Sequence, residues 1–373
     1  MEEKLVTLAI HSYDKAIILK SLLESEGIEA YIHNVNILIP QSSEGVRVRI
    51  KESDLPKALA IVEASSFKSN ATPPDERKKK DVVLIPVDFS THSLKACKLG
   101  FNTAKELGAE AVIAHIYYIP YTPIALSIND VTPIVTPESI ELNHSNAQKT
   151  AQHEMELFMG NVKALQMNGE IPEVEYSTLI REGIPEEAIV DLGDELDPVL
   201  IVMGTRGEAK RDFNLLGSVT AEVIEQSRQK ILAVPEEAPY SLLQNVKNIA
   251  FATNFDERAL SAFDDLIELM KGRGDIGYTI VHFDEKKNNP KDEARLKEMA
   301  GYLIDKYPKI AIKHRLVTAY DIMKGLNEFL EEESIDLLSI TTHKRNPFSR
   351  LLYLSFASKM LFLSKIPILV VRA

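Results

Sequence analysis

The sequence of 373 residues contains a single cysteine, Cys97, and no long run of apolar residues. One cysteine excludes an internal disulfide framework and is typical of proteins from a reducing compartment. No apolar run approaches the ~18 residues that a membrane-spanning helix needs. The start, MEEKLVTLAI, lacks a basic segment followed by a long apolar one. We therefore expect a cytoplasmic protein that does not interact with membranes.

Positive charge is also in short supply. Lysine and arginine number 43 against 55 aspartates and glutamates, which gives a formal net charge of −12. Such a chain would repel a phosphate backbone instead of releasing its counterions, so nucleic-acid binding is disfavoured. The sequence also lacks a Cys and His set at metal-ligand spacing and a Gly-x-Ser-x-Gly nucleophile elbow. We therefore expect neither a metal centre nor the hydrolase chemistry of that elbow.

The chain divides at a segment with the composition of a solvated linker. Residues 67–80, FKSNATPPDERKKK, combine a proline pair with a charge run and show no apolar periodicity. Before the linker, strand and helix patterns follow in the order β-α-β-β-α. After it, strands alternate with full helices, and the pattern occurs twice. We predict domains at residues 1–66, 81–237 and 245–373.

The repeat is clearest in residues 81–119 and 245–283, which both give a strand, a short turn, an amphipathic helix and a strand. Alternating strands and helices favour a parallel sheet covered on both faces, because right-handed crossovers place the helices there. The predicted fold class is α/β, with two doubly wound, Rossmann-like domains of five parallel strands and a small N-terminal α+β domain. If the strand order is 3-2-1-4-5, ligands bind between strands 1 and 4 at their carboxyl ends.

These two strands of the first repeat end in residues that suit a nucleotide. Strand 1 ends in Pro86-Val-Asp88, and strand 4 ends in Met203-Gly204. A carboxylate at this place accepts hydrogen bonds from a ribose hydroxyl or an exocyclic amine. Glycine lets the backbone approach a phosphate because no Cβ intervenes. The pattern predicts a nucleotide pocket, with ordinary turn chemistry as the alternative.

The glycines continue as Gly-x2-Gly-x9-Gly-Ser, through Gly204, Gly207, Gly217 and Ser218, and a helix follows over residues 219–227. The unpaired N–H groups and the positive dipole end of that helix would face the same crevice. A Walker loop needs a lysine directly after its last glycine, and a dinucleotide fingerprint follows strand 1. The motif belongs to neither class.

The combination resembles the ATP-binding class of the universal stress proteins. LIVMGTRG (200–207) and VVLIPVDFSTHSLKA (82–96) are similar to that family almost word for word. The resemblance covers residues 81–373 as two family domains with an adenine-nucleotide alpha-hydrolase-like fold. It implies ATP or another adenine nucleotide, with or without Mg²⁺, in the first domain. The residues that it places around the base, the ribose and the phosphates are Pro86, Asp88, Met203, Gly204, Arg206, Gly207, Gly217, Ser218, Val219 and Thr220.

The second repeat lacks this constellation. Side chains replace the glycines, and an amide replaces the acid: Thr341 aligns with Gly204, Lys344 with Gly207, Leu354-Ser355 with Gly217-Ser218, and Asn254 with Asp88. We predict no nucleotide there, because these side chains would block a phosphate. Family members pair through their final strands, which implies an internal pseudo-dimer through residues 233–235 and 370–372. Two independent modules are the alternative, and a homodimer of the whole chain stays open.

The N-terminal segment resembles a small prokaryotic signal-transducing domain with a ferredoxin-like or nitrogen-regulator-like shape. The motif HSYDKAIILKSLLESEGIEAYI (11–32) carries this resemblance, which implies no assigned chemistry. We predict an accessory or interaction role. Elsewhere, His115 is interpreted as a core histidine, Ser90 as a helix N-cap and Cys97 as a buried, inert thiol.

The leading hypothesis is a regulatory protein of stress signalling in which a bound nucleotide shifts contacts with a protein partner. No general base or carboxylate pair is evident, so rapid hydrolysis is not expected. A slow ATPase or autokinase acting through Ser218 or Thr220 is the first alternative. An interaction protein without nucleotide is the second.

Overall fold

The computed structural model describes residues 5–11, 13–33, 46–55, 57–58, 61, 80–119, 137–205, 218–235, 238, 245–255, 258–271, 273–284, 290–342 and 364–372. The chain divides into two compact units, Met1–Lys79 with Tyr118–His144, and Lys80–Tyr117 with Ser145–Ala373. Among the helices in the described ranges, none is both long and apolar enough to cross a bilayer.

The first unit contains a three-stranded antiparallel sheet. Strand β1 (Leu5–His11) leads through helix α1 (Tyr13–Ser25) to β2 (Ala30–His33), and β3 (Val46–Lys51) lies between the two strands and antiparallel to both. This is the split β-α-β arrangement of ferredoxin-like domains, so the predicted α+β fold is confirmed. The last helix of the predicted order lies mostly outside the described residues. The core consists of buried side chains at Leu19, Leu23, Ile28, Ala30, Val48, Ile50 and Ala58.

The second unit alternates strands and helices in two halves. The elements of the first half are β4 (Val82–Pro86), α2 (Thr91–Leu107), β5 (Glu110–Tyr117), α3 (Pro137–Met167, in this unit from Ser145), β6 (Tyr176–Glu182), α4 (Pro185–Leu196), β7 (Leu200–Gly204), α5 (Ser218–Gln226) and β8 (Ile231–Val234). Those of the second half are β9 (Asn248–Ala252), α6 (Ala259–Leu269), β10 (Gly277–Asp284), α7 (Pro290–Lys306), β11 (Ala311–Thr318), α8 (Ile322–Glu332), β12 (Leu337–Thr342) and β13 (Ile368–Arg372).

These strands form one ten-stranded sheet in the order β11-β10-β9-β12-β13-β8-β7-β4-β5-β6. Counted within its own half, each set of strands is parallel and follows the order 3-2-1-4-5. The predicted pair of doubly wound domains is therefore confirmed. The reversal of winding lies between β4 and β7 in the first half and between β9 and β12 in the second.

The two halves join through their final strands. β8 and β13 pair antiparallel, with Leu232 opposite Leu369, Ile231 opposite Val370 and Ala233 opposite Ile368. Each of these strands would otherwise present unpaired N–H and C=O groups at a sheet edge. The final strands therefore pair as predicted and make the two halves one continuous sheet. The paired residues are 231–233 and 368–370, which overlap the predicted segments 233–235 and 370–372 only at Ala233 and Val370.

Helices cover both faces of the sheet, as the burial of β4 and the two cores around it show. All five residues of β4 are buried, as expected for a parallel strand between two helical layers. Val83 and Ile85 belong to a core with α2, α3, α6 and α7. Val82 and Leu84 belong to a second core with α4, α5 and α8. Side chains alternate between faces, so one strand serves both cores.

Helix α2 has the ends that its sequence predicts. The Ser90 hydroxyl accepts a hydrogen bond from the Ser93 N–H at 3.1 Å, which confirms Ser90 as the N-cap. The helix ends at Gly108, whose φ of 73° is the left-handed conformation that glycine adopts most readily. Cys97 is buried in this helix, and burial raises the pKa of its thiol to about 12. The thiol therefore stays protonated and inert at neutral pH.

Candidate functional site

The ends of β4 and β7 bring the first group of predicted residues together. The two strands are neighbours and parallel, with Val83 opposite Leu200 and Leu84 opposite Ile201. Pro86 is the last residue of β4, and Met203-Gly204 ends β7. Both strands therefore deliver their carboxyl ends to the same crevice, where doubly wound sheets bind ligands.

Pro86 separates the ends of these strands. In a parallel strand, successive residues direct their backbone groups to alternate neighbours. The N–H of Val87 donates to the Ala114 carbonyl of β5 at 2.8 Å, so Pro86 faces β7. Proline has no N–H to donate, and the pairing of β4 with β7 ends at Leu84 and Ile201. The two strands therefore stop pairing at Leu84, before β4 ends at Pro86. The crevice begins at this level of the sheet.

The second half has no such break. Ala252 ends β9 at the position that Pro86 holds in β4, and it keeps its N–H. The pairing of β9 with β12 accordingly continues to Ala252 and Ile340. The two switch points of the sheet therefore differ in backbone hydrogen bonding as well as in side chains.

Asp88 is half-buried and held in one orientation by the start of α2. Its Oδ1 accepts hydrogen bonds from the Ser90 N–H at 3.1 Å and from the Ser90 hydroxyl at 2.5 Å. The carboxylate thus lies beside the positive end of the α2 dipole. A fixed, partly accessible carboxylate is the acceptor that a ribose or an exocyclic amine requires.

Phe89 and His115 support the turn that carries Asp88. This relationship is not evident from the sequence alone. Phe89 has a φ of 63°, a conformation that residues with a side chain rarely adopt. Its ring packs on the His115 ring with centroids 4.1 Å apart. His115 Nδ1 lies 2.8 Å from the Val87 carbonyl oxygen. His115 is hydrogen-bonded as predicted, but it is half-buried beside the site instead of enclosed in the core.

Helix α5 is attached to the end of β7. Its first residue is Ser218, Val219 packs on the core beneath, and Thr220 is buried in its first turn. The Thr220 hydroxyl donates to the Gly204 carbonyl at 2.7 Å. The helix N-terminus therefore reaches the crevice where Met203-Gly204 ends. Thr220 thus links the start of α5 to the end of β7. Its hydroxyl would have to rotate away from Gly204 to donate a hydrogen bond to a phosphate.

The remaining predicted phosphate contacts cannot be placed against this frame, because Arg206, Gly207 and Gly217 lie outside the described residues. In the second half, Asn254 is exposed and Thr341 is half-buried at the positions of Asp88 and Gly204. Lys344 and Leu354-Ser355 lie outside the described residues. Strand pairing supports the alignment, since Gly204 lies opposite Val234 and Thr341 lies opposite Val371.

The described part of the site offers three kinds of group to a ligand. It offers a carboxylate acceptor at Asp88, a backbone without Cβ at Gly204 and the N–H groups that open α5. Across the described ranges, no three His, Cys, Asp or Glu side chains are grouped to hold a metal ion. The chemistry of these groups is recognition of a polar, anionic ligand, without an evident proton-transfer pair.

Comparisons with known proteins identify the family. The model of the universal stress protein family matches residues 80–235 and 245–372. A universal stress protein of Methanocaldococcus jannaschii is 32% identical over 155 residues, which cover 41% of this chain and 80% of that protein. One from Methanothermobacter thermautotrophicus is 32% identical over 97 residues, covering 26% of this chain and 64% of that protein.

A solved structure supports the same fold. The universal stress protein from Archaeoglobus fulgidus matches with a TM-score of 0.58 at 16% identity and covers 79% of this chain and 99% of that chain. At this identity the likeness concerns the fold alone. The two family matches, however, together span most of the sequence in tandem. The chain therefore belongs to the universal stress protein family.

Proposed function

We propose that this chain is a cytoplasmic regulatory protein of the stress response that binds ATP or a related adenine nucleotide in its first half. The nucleotide lies in the crevice between the ends of β4 and β7. Pro86 and Asp88 contact the base or the ribose, and Met203-Gly204 lines the pocket around the base and the ribose. Arg206, Gly207, Gly217, Ser218, Val219 and Thr220 surround the phosphates, with Mg²⁺ as an optional companion. Binding shifts contacts with a protein partner, and hydrolysis is not part of the proposal.

The single observation that carries the proposal is the difference between the two switch points. In the first half, Pro86 ends the pairing of β4 with β7 at Leu84, and Asp88 follows. In the second half, the pairing runs on to Ala252, and Asn254 follows. An early end of the strand pairing and an acidic acceptor thus occur together in the first half and are both missing from the second.

The second half has a structural role in this proposal. It supplies β13, which covers the edge of β8 and continues the sheet. We propose that it acts as the internal pseudo-dimer partner of the first half. The domains run over residues 1–66, 81–237 and 245–373, and the first of them is an accessory or interaction domain.

Isothermal titration calorimetry of the full chain with ATP, ADP, AMP and cAMP tests the proposal. We include cAMP because one solved universal stress protein is a complex with cAMP, although its likeness to this chain is weak, at a TM-score of 0.25. Asp88→Asn installs the residue of the second half, and Asn254→Asp is the matched control. We expect Asp88→Asn to weaken binding by about 10- to 100-fold, since a hydrogen bond to a charged group contributes ~1.5–3 kcal/mol.

Asn254→Asp is expected to leave both affinity and stoichiometry unchanged, because Thr341 and the paired end of β9 remain. The proposal is wrong if the unaltered chain binds no adenine nucleotide. It is also wrong if Asp88→Asn binds as tightly as the unaltered chain.

A further inference from the structure

The peptide groups of Val87, directly before Asp88, are both held by β5. The Val87 N–H donates to the Ala114 carbonyl at 2.8 Å. The Val87 carbonyl oxygen lies 2.8 Å from His115 Nδ1. Because a carbonyl only accepts hydrogen bonds, Nδ1 of His115 must carry the proton. The peptide groups on the two sides of Val87 are therefore both fixed, the first by a backbone bond and the second, which leads into Asp88, by a side-chain bond.

The residue directly after Asp88 is held by the same histidine. Phe89 keeps a left-handed backbone, with φ at 63°, and such strain persists only where the surroundings impose it. The Phe89 ring lies between His115, at 4.1 Å between centroids, and Phe158, at 5.6 Å. His115 thus touches the residues on both sides of Asp88.

We propose that His115 is a positioning residue for the nucleotide in the first half. Its Nδ1–H holds the Val87 carbonyl, and its ring supports the strained Phe89, so that the Asp88 carboxylate is presented to the crevice in one orientation. A preorganised acceptor binds more tightly than one that must be ordered by its ligand. This inference rests on the proposed function and adds a residue of β5 to those proposed at the ends of β4 and β7.

The second half contains the same arrangement without the acid, which provides an internal control. His282 Nδ1 lies 2.7 Å from the Thr253 carbonyl oxygen. Phe255 has a φ of 59°, and its ring centroid lies 4.4 Å from that of His282. The residue between Thr253 and Phe255 is the exposed Asn254. A change at His282 therefore disturbs an equivalent turn that presents no carboxylate.

Three variants of the full chain separate positioning from general stability. His115→Phe keeps a ring and removes the donor, His115→Asn keeps an amide donor near the place of Nδ1, and His282→Phe is the matched control. The probe is ATP, titrated in a calorimeter, and thermal unfolding is recorded for each variant. We expect the two phenylalanine variants to lose similar amounts of melting temperature, because they remove equivalent hydrogen bonds.

We expect the affinity for ATP, in contrast to the melting temperature, to differ between the two phenylalanine variants. His115→Phe should bind about tenfold more weakly, which corresponds to ~1.4 kcal/mol, because the Asp88 carboxylate is no longer held in one orientation. His115→Asn should recover most of that loss, and His282→Phe should bind like the unaltered chain. A readout on the unaltered chain is ¹⁵N NMR of the imidazoles. Both rings should carry a proton at Nδ1, and ATP should shift the resonances of His115 and leave those of His282 in place.

The outcomes also separate this inference from the proposed function. If the unaltered chain does not bind ATP or another adenine nucleotide, the proposed function is overturned and the inference with it. If the unaltered chain binds but His115→Phe binds equally well, only the inference is overturned. The inference alone is also overturned if His282→Phe loses as much affinity as His115→Phe, or if adding ATP leaves the His115 resonances unshifted. The NMR result decides the matter even if His115→Phe does not fold.

Discussion

Pro86 and Ala252 end equivalent strands in the two halves of one sheet, and only Ala252 has an N–H to continue the pairing. The consequence is visible in the register, which stops at Leu84 in the first half and reaches Ala252 in the second. In its backbone pairing, the switch point of the first half is thus open and that of the second half is closed. The difference coincides with one backbone group, the N–H that Pro86 lacks.

Restoring the backbone N–H that Pro86 lacks should weaken nucleotide binding. Pro86→Ala supplies the missing N–H, so we expect β4 and β7 to pair further and the crevice to narrow. Affinity for adenine nucleotide should fall by about tenfold, which corresponds to ~1.4 kcal/mol, while the melting temperature stays or rises. Calorimetry and thermal unfolding on the same sample measure both quantities. Unchanged affinity would show that the break in pairing has no part in binding.

The reciprocal change tests the closed switch point. Ala252→Pro removes a hydrogen bond from the pairing of β9 with β12 and leaves an acceptor without its partner. We expect a loss of ~1–3 kcal/mol in the free energy of unfolding. No second nucleotide site should form, because Asn254 and Thr341 remain. Urea unfolding gives the stability, and the binding stoichiometry reports whether a second site has appeared.

Two helical glycines should respond to alanine in opposite directions. A Cβ on Gly100 of α2 would lie 2.4 Å from Cδ1 and 2.8 Å from Cγ1 of Ile85, whereas a Cβ on Gly160 of α3 would meet nothing within 4 Å. Gly100→Ala must move a buried side chain of β4 and should cost ~1–3 kcal/mol. Gly160→Ala should gain ~0.5–1 kcal/mol from helix propensity. Destabilisation of equal size at both positions would contradict this packing.

Glu186, in the first turn of α4, gives stability a pH dependence. Burial raises the pKa of its carboxyl group, and the neighbouring charges of Glu222 and Glu187 raise it further. A carboxyl group whose folded-state pKa is raised is penalised when charged, so its unfavourable contribution is present at neutral pH and disappears as the pH falls through the raised pKa. Glu186→Gln should therefore raise the melting temperature at pH 7, with a smaller gain at pH 4.

Glu154, which is exposed on α3, is the control for that measurement. Glu154→Gln should change the melting temperature little at either pH, since exposed charges contribute weakly. A gain in melting temperature for Glu186→Gln that is larger at pH 4 than at pH 7 would contradict the prediction. Melting curves in matched buffers between pH 4 and 7 are sufficient.

The joint between the halves predicts cooperative unfolding. Leu369 of β13 is 1% exposed and lies opposite Leu232. Leu369→Ala should cost ~2–5 kcal/mol, as large-to-small changes in packed cores do. Because the sheet and its core continue through the joint, residues 80–373 should still unfold in one calorimetric transition. Leu157→Ala, at a side chain 60% exposed, is the control with little expected loss. Two separate transitions would show that the halves fold independently.

Much of this architecture follows from local patterns in the sequence. The apolar run of β4 and the N-cap at Ser90 are short-range features. The strand order 3-2-1-4-5, which the sequence leaves as a condition, is the order observed in both halves. The family resemblance implies the pairing of β8 with β13, and the bare edges that both final strands would otherwise leave support it. Alignment of Gly204 with Thr341 also agrees with the observed strand pairing.

The details that the sequence did not reveal depend on contacts between distant residues. Pro86 was interpreted as a ligand contact, and its effect on the pairing with β7 requires knowledge of which neighbour it faces. His115 was interpreted as a core residue because an apolar strand surrounds it, although it bonds to the turn beside Asp88. The recurrence of a phenylalanine and a histidine in both halves, at Phe89, His115, Phe255 and His282, was the available signal.

The stoichiometry of nucleotide binding tests the central claim most directly. Titration of the full chain with ATP, followed by mass spectrometry of the small molecule released on denaturation, counts and identifies what is bound. The account predicts one adenine nucleotide per chain, lost or strongly weakened in Asp88→Asn and retained in Asn254→Asp. Two nucleotides per chain, none, or one that survives Asp88→Asn would contradict it.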